Sequence, residues 1–214
     1  MASDLSNFLS SEQLDITQKL ANTLISLDQA QTDQAQIRNV IEQWNEQQAI
    51  ANLLMYPSLI PSDLRLDSLL KALTERVSYS ALAAIIGLQG HDDWWSNVER
   101  ANIVEHLQSI VFGAPQAIAN RASITLLDYL RPQDVDKTVF FLGSPHEVVQ
   151  YNSLLALLRL FDTEVTRHHV NTTFEAGRMT KLGHDYAVAH IDTVQPDDLP
   201  LLSYIPNLKD FTTT

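Results

Sequence analysis

Cysteine is missing from this chain of 214 residues. Its absence excludes disulfide bonds, a thiolate nucleophile and every cysteine-ligated zinc or iron–sulfur site. The same absence is typical of a reducing compartment, and we expect a cytoplasmic protein. The first residues lack the basic start and apolar run of a secretory signal. No stretch of the sequence approaches the roughly 20 apolar residues that span a bilayer.

Basic residues are also scarce. The 14 Lys and Arg residues stand against 26 Asp and Glu residues, which gives a formal net charge of −12. The cations do not cluster along the sequence in a way that would neutralise phosphate groups. Nucleic acid and anionic membranes are therefore poor candidates as partners. We expect a protein partner of basic or mixed charge, because complementary fields speed and orient encounter.

Glycine and proline are few, with six and eight residues. The prolines fall between segments whose apolar residues repeat every three or four positions, which is the period of helices. Hydrophobic residues make up 45% of the chain and charged residues 19%, which is enough apolar surface for a folded core. The sequence therefore predicts an all-α protein.

An N-terminal helical hairpin that packs as a cap is predicted over residues 1–56. One helix is expected over about 11–29, where apolar residues form a single stripe after a capping-box pattern. A second helix is expected over about 33–55, with glutamines over much of its polar face. A short polar turn would join the two helices as an antiparallel pair.

Helix pairs are predicted over residues 57–165. Gly87 and Gly90 are expected to end a short, apolar helix over 78–88. A C-terminal helical segment and an extended apolar tail are expected over 166–214. All three segments are expected to form one continuous domain, because stacked repeats extend without a single central core.

The strongest pattern in the sequence is an internal repeat. The segment FGAPQAIANRASITLLDYL, from Phe112, aligns with LGSPHEVVQYNSLLALLRL thirty residues later. Both copies carry a glycine, a proline two positions on, and then an apolar stripe. We expect the glycine to end one helix in a left-handed conformation and the proline to begin the next. A partner helix over 132–141, with Val135, Val139 and Phe140 as its apolar face, would complete the pair.

The turn and the helix after it resemble the HEAT-repeat family, in particular the short HEAT-like units also found in phycobilin lyases. The positions that carry the likeness are Leu142, Gly143, Pro145, Val148, Leu154, Leu157 and Leu160. The likeness covers about 110–161 and extends to about 64–88. Gln150 and Ser153 depart from it, since those units often have Arg and Ala there. The resemblance implies an α–α superhelix, or HEAT-like helical repeat, that binds macromolecules along a concave face.

Two adjacent tryptophans, Trp94 and Trp95, lie in a predicted loop over 89–96. Adjacent side chains point in different directions on a regular element, so at least one ring is expected to be partly exposed. In a structural role, one ring enters the core and Asp93 or Ser96 lies near the start of the next helix. In a functional role, the exposed ring contacts a partner.

The apolar tail from Gln195 supplies two further candidates for partner binding, Tyr204 and Phe211. One interpretation is an extended strap packed along the chain's own helices. The other is a docking segment for a partner or for a second copy, because an uncovered apolar segment tends to be buried by association.

Ionisable residues are concentrated in the last third of the chain. His169, His184, Asp185 and His190 are candidate metal ligands, since imidazole and carboxylate groups bind catalytic metals. The nearest named pattern is that of the HD-type metal phosphohydrolases, with Asp197 as the final carboxylate. Their spacing does not identify a metal site. His184 and His190 are six residues apart, so on a helix their side chains would point in directions about 120° apart. Surface or helix-end histidines are the simpler interpretation.

Motifs for nucleophilic catalysis and for phosphate binding are missing from the sequence, which carries no nucleophile elbow and no Gly-rich phosphate loop. We therefore predict no catalytic residues and no cofactor. The leading hypothesis is a non-catalytic adaptor or scaffold that binds a protein partner on a HEAT-like helical stack. The alternatives are a metal-dependent hydrolase that uses the C-terminal histidines, and a lyase or chaperone for a pigment-binding protein. A homo-oligomer is compatible with the first hypothesis.

Overall fold

The computed structural model describes residues 34–45, 47–75 and 78–201, and all regular structure in these ranges is helical. The α-helices are α1 (Gln34–Gln43), α2 (Gln47–Met55), α3 (Ser62–Thr74), α4 (Tyr79–Leu88), α5 (Asn97–Gly113), α6 (Gln116–Tyr129), α7 (Val135–Phe141), α8 (Glu147–Leu160), α9 (Thr163–Glu175) and α10 (Lys181–His190). The predicted all-α class is confirmed. Among these helices none combines the length and the apolar character that crossing a bilayer requires.

The helices alternate between two layers. The even-numbered helices pack side by side in chain order, and we call them the even layer. The odd-numbered helices form the odd layer, and each one packs against the even helix that follows it. A helix pair therefore repeats along the described chain. This packing is consistent with the predicted α–α superhelix or helical repeat.

The single helix predicted over 33–55 is wrong, because the structure has two helices there, α1 and α2. The chain turns at Trp44, whose φ of 50° lies in the left-handed region. Contacts with the end of α3 hold this residue: the indole Nε1 donates to Glu75 Oε1 at 3.1 Å, and Lys71 Nζ lies 4.2 Å from the ring centroid. Tertiary contacts of this kind offset the cost of an unfavourable backbone conformation. The helix predicted over 11–29 lies outside the described residues.

Gly87 does not end α4, contrary to the prediction, but lies within it. A Cβ atom at Gly87 would fall 1.9 Å from the carbonyl oxygen of Leu54 in α2. The missing side chain therefore allows α2 and α4 to approach closely. The glycine with a left-handed backbone conformation near this helix end is Gly90, whose φ is 70° and which lies two residues after α4.

The repeated glycine–proline turn also differs from the prediction in one respect. Pro115 directly precedes α6, as expected, but neither Gly113 nor Gly143 has a positive φ. Gly143 is required by packing instead: a Cβ atom there would lie 2.9 Å from Thr180 Oγ1. A Cβ atom on Gly183 of α10 would lie 2.8 Å from the amide nitrogen of Gly143. This turn therefore provides the surface against which α10 packs.

Two adjoining hydrophobic clusters fill the space between the layers. The larger lies mainly among α1 to α6 and the smaller among α7 to α10. Val139 of α7 is fully buried as predicted, but Phe141 enters the core in place of Phe140, which is 50% exposed. At 100° per residue, Phe140 points about 140° away from Val135 on the same helix.

Gly87→Ala is expected to lower the free energy of unfolding by about 1–3 kcal/mol, because its Cβ atom would overlap the Leu54 carbonyl. Ser80→Ala in the same helix is the matched control. The Ser80 hydroxyl is buried and has no hydrogen-bond partner among the described residues, so its removal should leave stability unchanged or raised. Urea denaturation followed by far-UV circular dichroism measures both. Equal stability of Gly87→Ala and the wild type would contradict the close approach of α2 and α4.

Candidate functional site

A non-helical segment over residues 195–201, which we call the tail strap, contacts α8 from its C-terminal end towards its middle. It begins with a turn in which the Asp198 N–H donates to the Gln195 carbonyl at 3.0 Å. Arg159 of α8 donates from Nε to the carbonyl of Pro196 at 2.9 Å and from Nη2 to the carbonyl of Asp198 at 2.8 Å. A guanidinium group is suited to this task, because its donors lie in one rigid plane. One exposed side chain thus holds two main-chain groups of the strap.

Asn152 holds the far end of the strap from the middle of α8. Its side chain is 1% exposed, and its amide forms both main-chain hydrogen bonds of Leu201. The Leu201 N–H donates to Asn152 Oδ1 at 2.9 Å, and Asn152 Nδ2 donates to the Leu201 carbonyl at 3.3 Å. Nδ2 also donates to Ser123 Oγ of α6 at 3.0 Å, which fixes the orientation of the amide. The amide therefore pairs with the strap as a neighbouring β-strand would.

Asp198 adds a side-chain hydrogen bond between the strap and α8. The Tyr151 hydroxyl donates to Asp198 Oδ2 at 3.3 Å, and the Gln195 N–H donates to the same oxygen at 2.8 Å. Burial, together with the neighbouring Asp198 carboxylate, raises the pKa of Tyr151. The phenol therefore stays protonated near neutral pH and remains a donor.

Residues 195–201 contact α8 through hydrogen bonds, but Leu199 is 83% exposed, so the choice between an internal strap and a docking segment stays a prediction. The candidate partner residues Tyr204 and Phe211 lie outside the described residues. Sequence reasoning did not single out Asn152 or Arg159. One signal was present: Asn152 interrupts an apolar helix at the repeat position where the first copy has Ala122.

The two tryptophans have different environments. Trp95 is partly buried, and its Nε1 donates to the hydroxyl of Tyr129 at 3.0 Å. Tyr129 is fully buried and donates in turn to the Leu88 carbonyl at 2.8 Å, and burial raises its pKa. Trp94 is 37% exposed and stacks on His91 with 3.9 Å between ring centroids. Trp95 therefore has a structural role, and partner binding by Trp94 stays a prediction.

His184 and Asp185 lie side by side, with His184 Nδ1 3.8 Å from Asp185 Oδ1, and each has a further partner. His184 stacks on Phe174 with 4.1 Å between ring centroids, and its Nε2 lies 3.3 Å from Asn171 Oδ1. Asp185 accepts a hydrogen bond from Lys181 Nζ at 2.7 Å, and this contact lowers the pKa of the carboxyl group. Both side chains are thus occupied by neighbours on α9 and α10.

The other candidate metal ligands lie elsewhere on these elements. His169 faces Phe161 with 5.1 Å between ring centroids, and His190 packs on Tyr186 at 4.4 Å. Asp197 is exposed in the tail strap. Within the part of the chain that the structure describes, no three His, Asp or Glu side chains come together as a metal site would require.

No protein-family model, curated protein or solved structure matches this chain. The resemblance to HEAT-like units therefore stays a prediction from the sequence. The structure itself defines the class of protein, an all-α chain of paired helices in two layers.

Trp95→Phe is expected to lower the free energy of unfolding by about 1 kcal/mol, because it removes a donor from the buried Tyr129 hydroxyl. Trp94→Phe is the matched control, since it keeps an aromatic ring at an exposed position. Its effect should stay within about 0.5 kcal/mol. Thermal denaturation of both variants measures the difference, and a larger effect at Trp94 would contradict these roles.

Proposed function

We propose that the protein is a non-catalytic, protein-binding adaptor whose even layer holds a short segment of a partner chain. The observation that supports this proposal is the way α8 holds the tail strap. Arg159 and Asn152 form four hydrogen bonds with main-chain atoms of the strap. Main-chain groups are the same in every chain, so a partner segment that adopts the strap's backbone conformation would meet the same donors and acceptors.

The tail strap acts as a competitor in this proposal. Because it is joined to the same chain, its local concentration at α8 is high, and a free segment binds only when the strap leaves. A partner segment would gain specificity from Tyr151, which favours an acceptor side chain where Asp198 lies. Outside the bound segment, the partner is expected to carry basic or mixed charge, because this chain has a net charge of −12.

Loosening the strap in the full-length protein tests this proposal. Leu201→Pro removes the main-chain N–H that donates a hydrogen bond to Asn152 Oδ1. Asp198→Ala removes the carboxylate that accepts a hydrogen bond from the Tyr151 hydroxyl. Neither substitution alters α8. The double variant is expected to bind a fluorescein-labelled peptide of residues 195–214 about tenfold more tightly than the wild type, because competition in cis is weakened. Fluorescence anisotropy measures the affinity.

Arg159→Ala, added to the double variant, is expected to weaken this peptide about tenfold, since two carbonyls lose a charged donor. Arg159 is exposed, so its loss should not unfold the protein. Arg167→Ala is the matched control, because Arg167 pairs with Asp192 away from the strap contacts. The proposal fails if the double variant binds no better than the wild type, or if Arg159→Ala and Arg167→Ala behave alike.

A further inference from the structure

A gap interrupts the odd layer between α5 and α7. The odd helices on either side pack in sequence, α3 against α5 and α7 against α9, but α5 and α7 do not pack closely along their lengths. α7 has only seven residues. A groove of about 540 Å³ opens here between α5, α7 and the end of α9. This volume lies within the range of ligand-binding sites in proteins.

The apolar wall of the groove is aromatic. Phe112 is 51% exposed, and its ring centroid lies 4.9 Å from those of both Phe140 and Phe141. The internal repeat shows that this exposure is unusual for its position: Leu142, the counterpart of Phe112, is fully buried. The second copy of the repeat is covered by the helices that follow it. In the first copy, Phe112 occupies the equivalent position and is left exposed to solvent.

The rim of the groove is basic, unlike the rest of the chain. Lys137 and Arg178 line it together with Asp136, and Arg178 Nη1 lies 3.7 Å from an oxygen of Asp136. Lys137 is exposed and forms no ion pair with any residue in the described ranges. Two cations against one carboxylate, on a chain with a net charge of −12, favour an acidic ligand at this place.

Gln108 of α5 supplies an unpaired polar group at the same groove. The residue is 9% exposed, and its Nε2 has no hydrogen-bond partner among the residues described. Buried donors in folded proteins are nearly always paired, because an unmade hydrogen bond is costly. A ligand that reaches this amide would supply the missing acceptor.

We propose that the groove binds a segment of a partner protein in which a large apolar side chain is flanked by carboxylates. The apolar side chain packs on Phe112 and Phe140, the carboxylates face Lys137 and Arg178, and an acceptor of the segment pairs with Gln108. Aromatic side chains with a charged rim are the common composition of such interfaces. The site lies on the odd layer, so it is additional to the α8 site of the proposed function.

Two matched peptides test the groove on the full-length protein. Both are fluorescein-labelled and contain a central Leu-Phe pair, flanked by glutamates in one and by lysines in the other. The acidic peptide is expected to bind about tenfold more tightly. Phe112→Ser and Lys137→Glu are each expected to weaken it about tenfold. Val98→Ser is the control, because Val98 is a 73% exposed apolar residue on α5 outside the groove lining.

Equal binding of the two peptides, no binding of either, or equal effects of Phe112→Ser and Val98→Ser would overturn the proposal. Light scattering supplies a further outcome: self-association that Phe112→Ser removes would assign the groove to a second copy of the chain instead. Arg159→Ala should leave the acidic peptide unaffected. Failure here is thus distinguishable from failure of the α8 proposal, which depends on Arg159 and not on Phe112.

Discussion

The close approach of neighbouring even helices is the constraint on which the rest of the structure depends. At Gly87 the backbone of α2 occupies the space that a side chain would fill, and at Gly183 the turn before α8 does the same for α10. Ala83, Ala84 and Ala122 in the middle of this layer are fully or almost fully buried. With small residues at the contacts, helices pack backbone to backbone, and larger apolar side chains are directed into the space between the layers.

Buried polar side chains join successive even helices across these contacts. Thr125 Oγ1 of α6 donates to the Ile85 carbonyl of α4 at 3.1 Å. Asn152 of α8 donates to Ser123 of α6. Each bond satisfies a polar group in the interior, where an unpaired group would destabilise the fold. Such bonds also fix the register of one helix on the next, because they require particular residues to meet.

Asn152 links this internal packing to the proposed function. The same amide that bonds to Ser123 presents its oxygen and its second N–H to Leu201. Its hydrogen bond to Ser123 in the core fixes its position independently of the strap, so the groups that hold Leu201 are preorganised. The groove at Phe112 has a different origin, since it results from incomplete packing between two odd helices. The two proposed sites therefore lie on different layers and depend on different residues.

A buried ion pair joins α5 to the turn before α7, close to the boundary between the two hydrophobic clusters. Arg100 donates to the Tyr129 carbonyl at 2.7 Å and to Asp134 Oδ2 at 3.1 Å, and both charged side chains are largely buried. Removing one partner of such a pair would leave an uncompensated charge in the interior. The pair therefore fixes the position of the turn before α7 relative to α5, at the point where the second half of the described helices begins.

The sequence by itself determined the features that depend on local patterns. The all-α class and the start of a helix directly after Pro115 follow from apolar periodicity and proline placement. The sequence also placed Asp93 or Ser96 near a helix start, and the structure decided that Ser96 is the cap. Only the tertiary structure decided the turn at Trp44 and the packing role of Gly87. It also decided that Asn152 meets Leu201 and that, among the described residues, no three candidate metal ligands come together. These features depend on contacts between residues far apart in the chain, and a periodic pattern carries no information about which distant residues meet.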